Sequence, residues 1–143
     1  MKSRTIRVGT GELLAPSIAR LEKQFLKLVG EDQQKQITFS FTDCHGGNTE
    51  LVMAFVARII ASGVPIRTKS TGSIDSAATL LFLAGSTRVG SASSVFMFHP
   101  FTVIPQAVSF ANLDADFAMW KGIVKKLKVR VTRLIVDRTS LTV

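Results

Sequence analysis

Strand and helix signals alternate along this chain, and that alternation restricts its fold more than any other feature. Thr5 to Val8 reads as a short strand; Ala15 to Val29 then carries Ile18, Leu21, Phe25 and Leu28 at helical spacing, with Pro16 tolerated in the first turn and Gly30 as the stop. Ile37 to Phe41 is a second strand. After Gly46-Gly47, Asn48 can cap a helix carrying Leu51, Val52, Phe55, Ile59 and Ile60 that ends near Gly63. Pro65 opens a third strand through Ile66 to Lys69, and a helix from Ser76 to Ala84 follows, closed by Gly85. Thr87 to Val89 and Val95 to Phe98 are short strands, and a long helix is expected from about Asn112 to Arg138.

This βαβαβαβ order predicts an α/β fold: a largely parallel sheet with right-handed crossovers and helices packed outside it. Ligands of such sheets bind beyond the carboxyl ends of the strands. Gly46-Gly47, the Gly72 to Ser76 stretch and His99 each follow directly on a strand, so three separate segments are expected at one edge.

At 143 residues and 46% apolar content the chain is about one globular domain with no linker or repeat. The lone Cys44 excludes an internal disulfide and leaves too few thiols for a zinc ribbon, which fits a reducing cytoplasm. Ala77 to Ala84, the most apolar stretch, falls far short of the roughly 20 residues that a membrane span needs, and no signal-type apolar core follows Met1 to Arg4. No membrane partner is expected.

Much of the net charge of +8 lies between Lys121 and Arg138, where seven Lys or Arg residues meet one Asp. These cations are interleaved with Ile123, Val124, Leu127, Val131, Leu134 and Ile135 at amphipathic spacing, which favours the solvated face of a partner-binding helix over a nucleic-acid footprint. No aromatic RNA-binding signature supports the latter.

The three edge groups suit acyl transfer. A serine hydroxyl is a poor nucleophile until a base accepts its proton, and His99 brings an imidazole to the edge occupied by Ser76. Free N–H groups where Ser76 opens a helix make the Ala77 amide a natural oxyanion donor. Gly47, with no Cβ to block a substrate carbonyl, could supply the second.

At these residues the chain resembles the proteolytic subunit of the ATP-dependent Clp protease, within the larger ClpP/crotonase fold. The strand leading into a Gly-Gly pair is ITFSFTDCHGG from Ile37 to Gly47; the serine box is TGSIDSAATLLFLAG from Thr71 to Gly85; the histidine box is SVFMFHPF from Ser94 to Phe101. The resemblance implies a parallel-rich sheet built from ββα-type repeats, with Ser76 as nucleophile, His99 as general base, and the Gly47 and Ala77 amides as oxyanion hole. It also implies one domain over residues 1–143, with a head over about 1–100 and a protruding handle helix over about 101–138 through which heptameric rings meet, possibly two of them stacked. Unfolded polypeptide would reach the enclosed serines through a separate AAA+ ATPase unfoldase, because this sequence has no Walker A loop; Gly9-Thr10-Gly11 fails even the looser dinucleotide pattern. No cofactor is implied.

The family's triad aspartate lies well beyond the handle, whereas this sequence stops at Val143; no third triad member is assigned, and the C-terminal end of the domain is expected to be missing, with a Ser-His dyad or an unrelated carboxylate as the alternatives. Asp137 would lie on the handle, away from the site. Asp75, where the family has a small apolar residue, is read as the N-cap of the following helix. Asp43, Cys44 and His45, with His99, could suggest a metal, but neighbours in extended backbone face opposite ways and no metal site is expected. Cys44 is expected to be packed, and Phe82, Phe96, Met97 and Phe98 to be core and ring-contact residues. Two alternatives to a serine endopeptidase stay open: a catalytically inactive Clp-like ring subunit, supported by the absent aspartate, and a crotonase-type acyl-CoA enzyme, which needs no serine nucleophile.

Overall fold

The computed structural model describes residues 4–99 and 113–139. The chain divides into two compact units, Met1–His99 and Pro100–Val143. In the first, β1 (Thr5–Arg7), α1 (Ala15–Glu31), β2 (Ile37–Phe41), α2 (Thr49–Ala61), β3 (Ile66–Ser70), β4 (Ser73–Asp75), α3 (Ala77–Leu83), β5 (Thr87–Gly90) and β6 (Val95–Met97) succeed one another. The second contains α4 (Leu113–Arg138).

The architecture is α/β with parallel strands, as the alternation predicts, but the strands form two sheets. The larger has the order β1-β2-β3-β5 and the smaller pairs β4 with β6; every pairing is parallel. Alternation along the strands explains which face is covered. Ile37, Phe39 and Phe41 of β2 and Ile66, Thr68 and Ser70 of β3 are buried, while Arg67 and Lys69 between them are exposed. Sequential strand order with right-handed crossovers places α1 and α2 on one face of the sheet. There Phe25, Phe39 and Phe55 pack as a triad with ring centroids 5.9–6.2 Å apart, and Phe82 of α3 meets Phe41 edge-on at 5.6 Å.

Some helix ends follow local chemistry and others do not. Asn48 caps α2 as expected, its side chain accepting from the Leu51 N–H at 3.0 Å; Asn48→Ala should lower stability by about 1 kcal/mol in denaturant unfolding. Gly30, read as a stop, instead lies inside α1, which continues to Glu31. Arg4 reaches across from ahead of β1 and donates to the carbonyls of Leu28 and Asp32 at 2.9 and 2.7 Å, so the helix end needs no left-handed glycine to satisfy them.

The strand β4 went unrecognised in the sequence because Ser73-Ile74-Asp75 holds one apolar residue. It becomes a strand through non-local partners: Ser73, Ile74 and Asp75 align with Val95, Phe96 and Met97 of β6. Val95, Phe96, Met97 and Phe98 are exposed rather than core, although Phe96 lies 4.8 Å from the buried Phe82 ring.

In α4 the cations Lys121, Lys125, Lys126, Lys128, Arg130 and Arg133 are exposed, while Leu127 and Leu134 are buried and Ile123, Val124, Val131 and Ile135 are half-buried. That is the amphipathic pattern anticipated for this segment. The expected handle residues 101–112, and Pro100 and Phe101 of the histidine box, lie outside the described residues. Among the described residues, no helix is long and apolar enough to cross a membrane.

Candidate functional site

Three chain segments bearing the singled-out residues meet at the end of β4. The loop after β2 is zipped onto β4: the Cys44 N–H donates to the Ser73 carbonyl and the Asp75 N–H to the Cys44 carbonyl, both at 2.9 Å, and the Asp43 carboxylate accepts from the Ser73 N–H at 2.9 Å. The third segment is β6, whose Met97 carbonyl accepts the Ser76 N–H at 2.9 Å. His99 lies two residues beyond Met97, and the pairing of Met97 with Asp75 sets that stretch beside the chain leaving β4. The expectation of a single edge is therefore corrected. Gly46 and Gly47 follow a strand of the larger sheet, Ser76 and His99 follow strands of the smaller, and the Cys44–Ile74 bridge joins them.

Ser76 occupies a conformation that serine seldom adopts. Its φ is 56° and ψ −129°, the only positive φ at a non-glycine residue among those described. This is close to the first central position of a type II′ turn, where glycine is the usual occupant, and such strain costs about 1–3 kcal/mol. The turn converts β4 directly into α3, so the side chain is presented at a sharp strand-to-helix corner. Its hydroxyl makes no capping bond to the helix. The Ala77 N–H stands in the first turn of α3, where helical geometry provides no acceptor.

Gly46 and Gly47 serve different contacts. A Cβ on the buried Gly46 would lie 2.8 Å from the Asp75 carbonyl and from Ser76 Cβ and 2.9 Å from the Ala77 nitrogen, so its backbone packs directly on the serine turn. Gly47 pairs with Leu13 through the flanking Gly46 carbonyl and Asn48 N–H, at 2.6 and 3.0 Å, and its own N–H takes no part in that bridge. It precedes α2 by two residues, with the Asn48 cap between them.

Asp75 is not the N-cap that its position suggested. It is the last residue of β4, Ser76 holds the cap position, and the carboxylate turns to other partners. Its Oδ2 accepts from His45 Nδ1 at 3.0 Å and its Oδ1 from the Ser73 hydroxyl at 2.8 Å. Those two bonds hold its pKa below the ordinary 3.8, against a smaller opposing effect of burial, and the charges of His45 and then His99 lower it further. The contribution to stability is complete above the unfolded carboxylate value and is lost as pH falls through the lowered one. Asp75→Asn should therefore be less stable than wild type at neutral pH and lose less on acidification below about pH 4, measured by urea unfolding across that range.

His45 was weighed in the sequence only as a metal ligand, and its partnership with Asp75 leaves no signal at a separation of 30 residues. Cys44 is fully buried, its Sγ 3.7 Å from the Gly11 carbonyl, and burial pushes its thiol pKa up; it is packed, as expected. Among the described residues no group of three or more His, Cys, Asp or Glu side chains could hold a metal.

The family model described as Clp protease matches residues 1–143. No curated protein matches the chain.

Proposed function

Since this chain belongs to the Clp protease family, we propose that it is a serine endopeptidase that cuts unfolded polypeptides to short peptides through an acyl-enzyme. The observation that carries this reading is the backbone of Ser76. A strained serine at a strand-to-helix corner, with a hydroxyl that makes no capping bond and a glycine backbone packed against it, is the arrangement that suits a presented nucleophile. A capping serine would use its hydroxyl on the helix and would need no strain.

In this mechanism Ser76 Oγ attacks the scissile carbonyl while His99 accepts its proton. The carbonyl oxygen becomes an oxyanion held by the Gly47 and Ala77 N–H groups, and collapse of the tetrahedral intermediate expels the amine, which takes the proton back from His99. Water then enters, again deprotonated by His99, and releases the peptide acid and free Ser76. The same reading makes residues 1–100 a head and 101–138 a handle, assembles the chain into rings in the cytoplasm, and supplies substrate through a AAA+ unfoldase.

The test is covalent. A fluorophosphonate should modify wild-type protein at Ser76, located by peptide mass spectrometry; assembled protein left unmodified would refute the peptidase and select an inactive ring subunit. Coenzyme A thioester turnover surviving Ser76→Ala would select the acyl-CoA alternative. A small monomer by light scattering at micromolar concentration would contradict the assembly.

A further inference from the structure

The loop holding the glycines and the strand holding the serine are joined at their outer edge by a bond between two side chains, beside the Asp43 carboxylate's bond to the Ser73 N–H. His45 immediately precedes Gly46 and Asp75 immediately precedes Ser76, so the 3.0 Å bond from His45 Nδ1 to Asp75 Oδ2 ties together the residues flanking the close approach of Gly46 to the serine turn. The Asp75 side chain is 16% exposed and that of His45 63%. Their bond is thus an outer fastening with one end anchored. The anchor is firm, because the other Asp75 oxygen accepts from Ser73, whose N–H is held by Asp43.

Strain of the kind seen at Ser76 persists only where the surroundings over-determine it. Ser76 is fixed beyond itself by its N–H bond to Met97 and by the Thr79 N–H, which donates to the Ser76 carbonyl at 3.0 Å. On the side preceding it, the backbone of Asp75 is bonded to Cys44, and its side chain to His45 and Ser73. The same bond spans the two segments that carry the Gly47 and Ala77 N–H groups, so it bears on their separation as well as on the serine.

We infer that His45 and Asp75 form a positioning clasp: their hydrogen bond across the glycine loop and the serine strand holds Ser76 in its attacking backbone conformation and keeps the Gly47 and Ala77 amides at a fixed spacing. Neither residue touches the reacting atoms. This role rests on the acyl-enzyme reading of Ser76 and extends it to residues outside the serine and histidine boxes' usual chemistry. A charge-assisted bond of this kind is stronger and more directional than a neutral one, which suits a pair that must set geometry.

The experiment measures fluorophosphonate inactivation of the full chain, separating reagent affinity from the maximal labelling rate. In His45→Ala and Asp75→Asn the maximal rate should fall roughly tenfold with affinity unchanged, less than the ~10²-fold that a 1 Å misplacement can cost. His45→Gln, whose amide can still donate to Asp75, should recover most of the rate. Urea unfolding of each variant establishes that it is folded, and His45, being exposed, is replaceable without a cavity. Wild-type maximal rates in the folded variants, or a glutamine variant no better than alanine, would overturn the clasp while leaving the peptidase intact. Failure of wild-type protein to label at all would overturn the peptidase reading, and the clasp with it.

Discussion

Ser76→Gly should be more stable than the wild type by about 1 kcal/mol and should take up no fluorophosphonate. The stability gain follows from φ 56° and ψ −129°, a conformation that glycine adopts without the clash a Cβ creates. Strain of about 1–3 kcal/mol is relieved, and the larger entropy of glycine in the unfolded chain offsets part of the gain. Ser76→Ala supplies the control. It removes the hydroxyl and abolishes labelling equally, but it keeps the Cβ and so keeps the strain. Chemical unfolding of the two variants side by side isolates the backbone term, since neither retains the hydroxyl. Equal stabilities for the alanine and glycine variants would dismiss the strain, and with it the observation on which the nucleophile assignment rests. His99→Ala, in a chain that retains Ser76, should slow labelling by about 10²–10⁴-fold, the usual contribution of general base catalysis.

Gly46→Ala should cost about 3 kcal/mol and also silence the serine. Two effects add: an alanine at φ +88° is strained, and its Cβ would meet the Asp75 carbonyl and Ser76 Cβ at 2.8 Å and the Ala77 nitrogen at 2.9 Å. Two of these three atoms are backbone, held by the β4–β6 pairing and the start of α3, so they cannot swing aside as a long side chain would. Relief would have to come from moving the serine turn itself, which is why stability and labelling should fall together. Gly30→Ala gives the contrast. Gly30 lies inside α1 with nothing within 4 Å of an added Cβ, and alanine there should stabilise by about 0.5–1 kcal/mol. Thermal unfolding of the two variants distinguishes a glycine required by close approach from one that is merely tolerated. A Gly46→Ala protein as stable as wild type would mean that the loop and the serine turn separate readily.

Much of this fold could be read from local pattern. The periods of Ile18, Leu21, Phe25 and of Val52, Phe55, Ile59 report helices with one buried face, and β2 occupies the predicted span. Asn48 announced its own helix because a cap is a contact between near neighbours. Where the expectation failed, the deciding partner was distant in sequence. Gly30 did not end α1 because Arg4, 24 residues before Leu28, satisfies the end of the helix. Asp75 did not cap α3 because His45, 30 residues away, accepted the role of partner.

What the sequence determined by itself is the order of the elements apart from β4, the parallel sense of the sheet that this order imposes, and membership of the Clp protease family over residues 1–143. These depend on periodicity and on motifs in a fixed order, both of which are written in one dimension. Only the tertiary structure decided that the strands divide into two sheets, that Gly46 rather than Gly47 lies against Ser76, and that Ser76 has a positive φ. The reason is physical. A strand of three residues such as β4 has almost no intrinsic preference and exists through its pairing with β6, and the strain at Ser76 is sustained by bonds to Met97 and Thr79 together with the packing of Gly46.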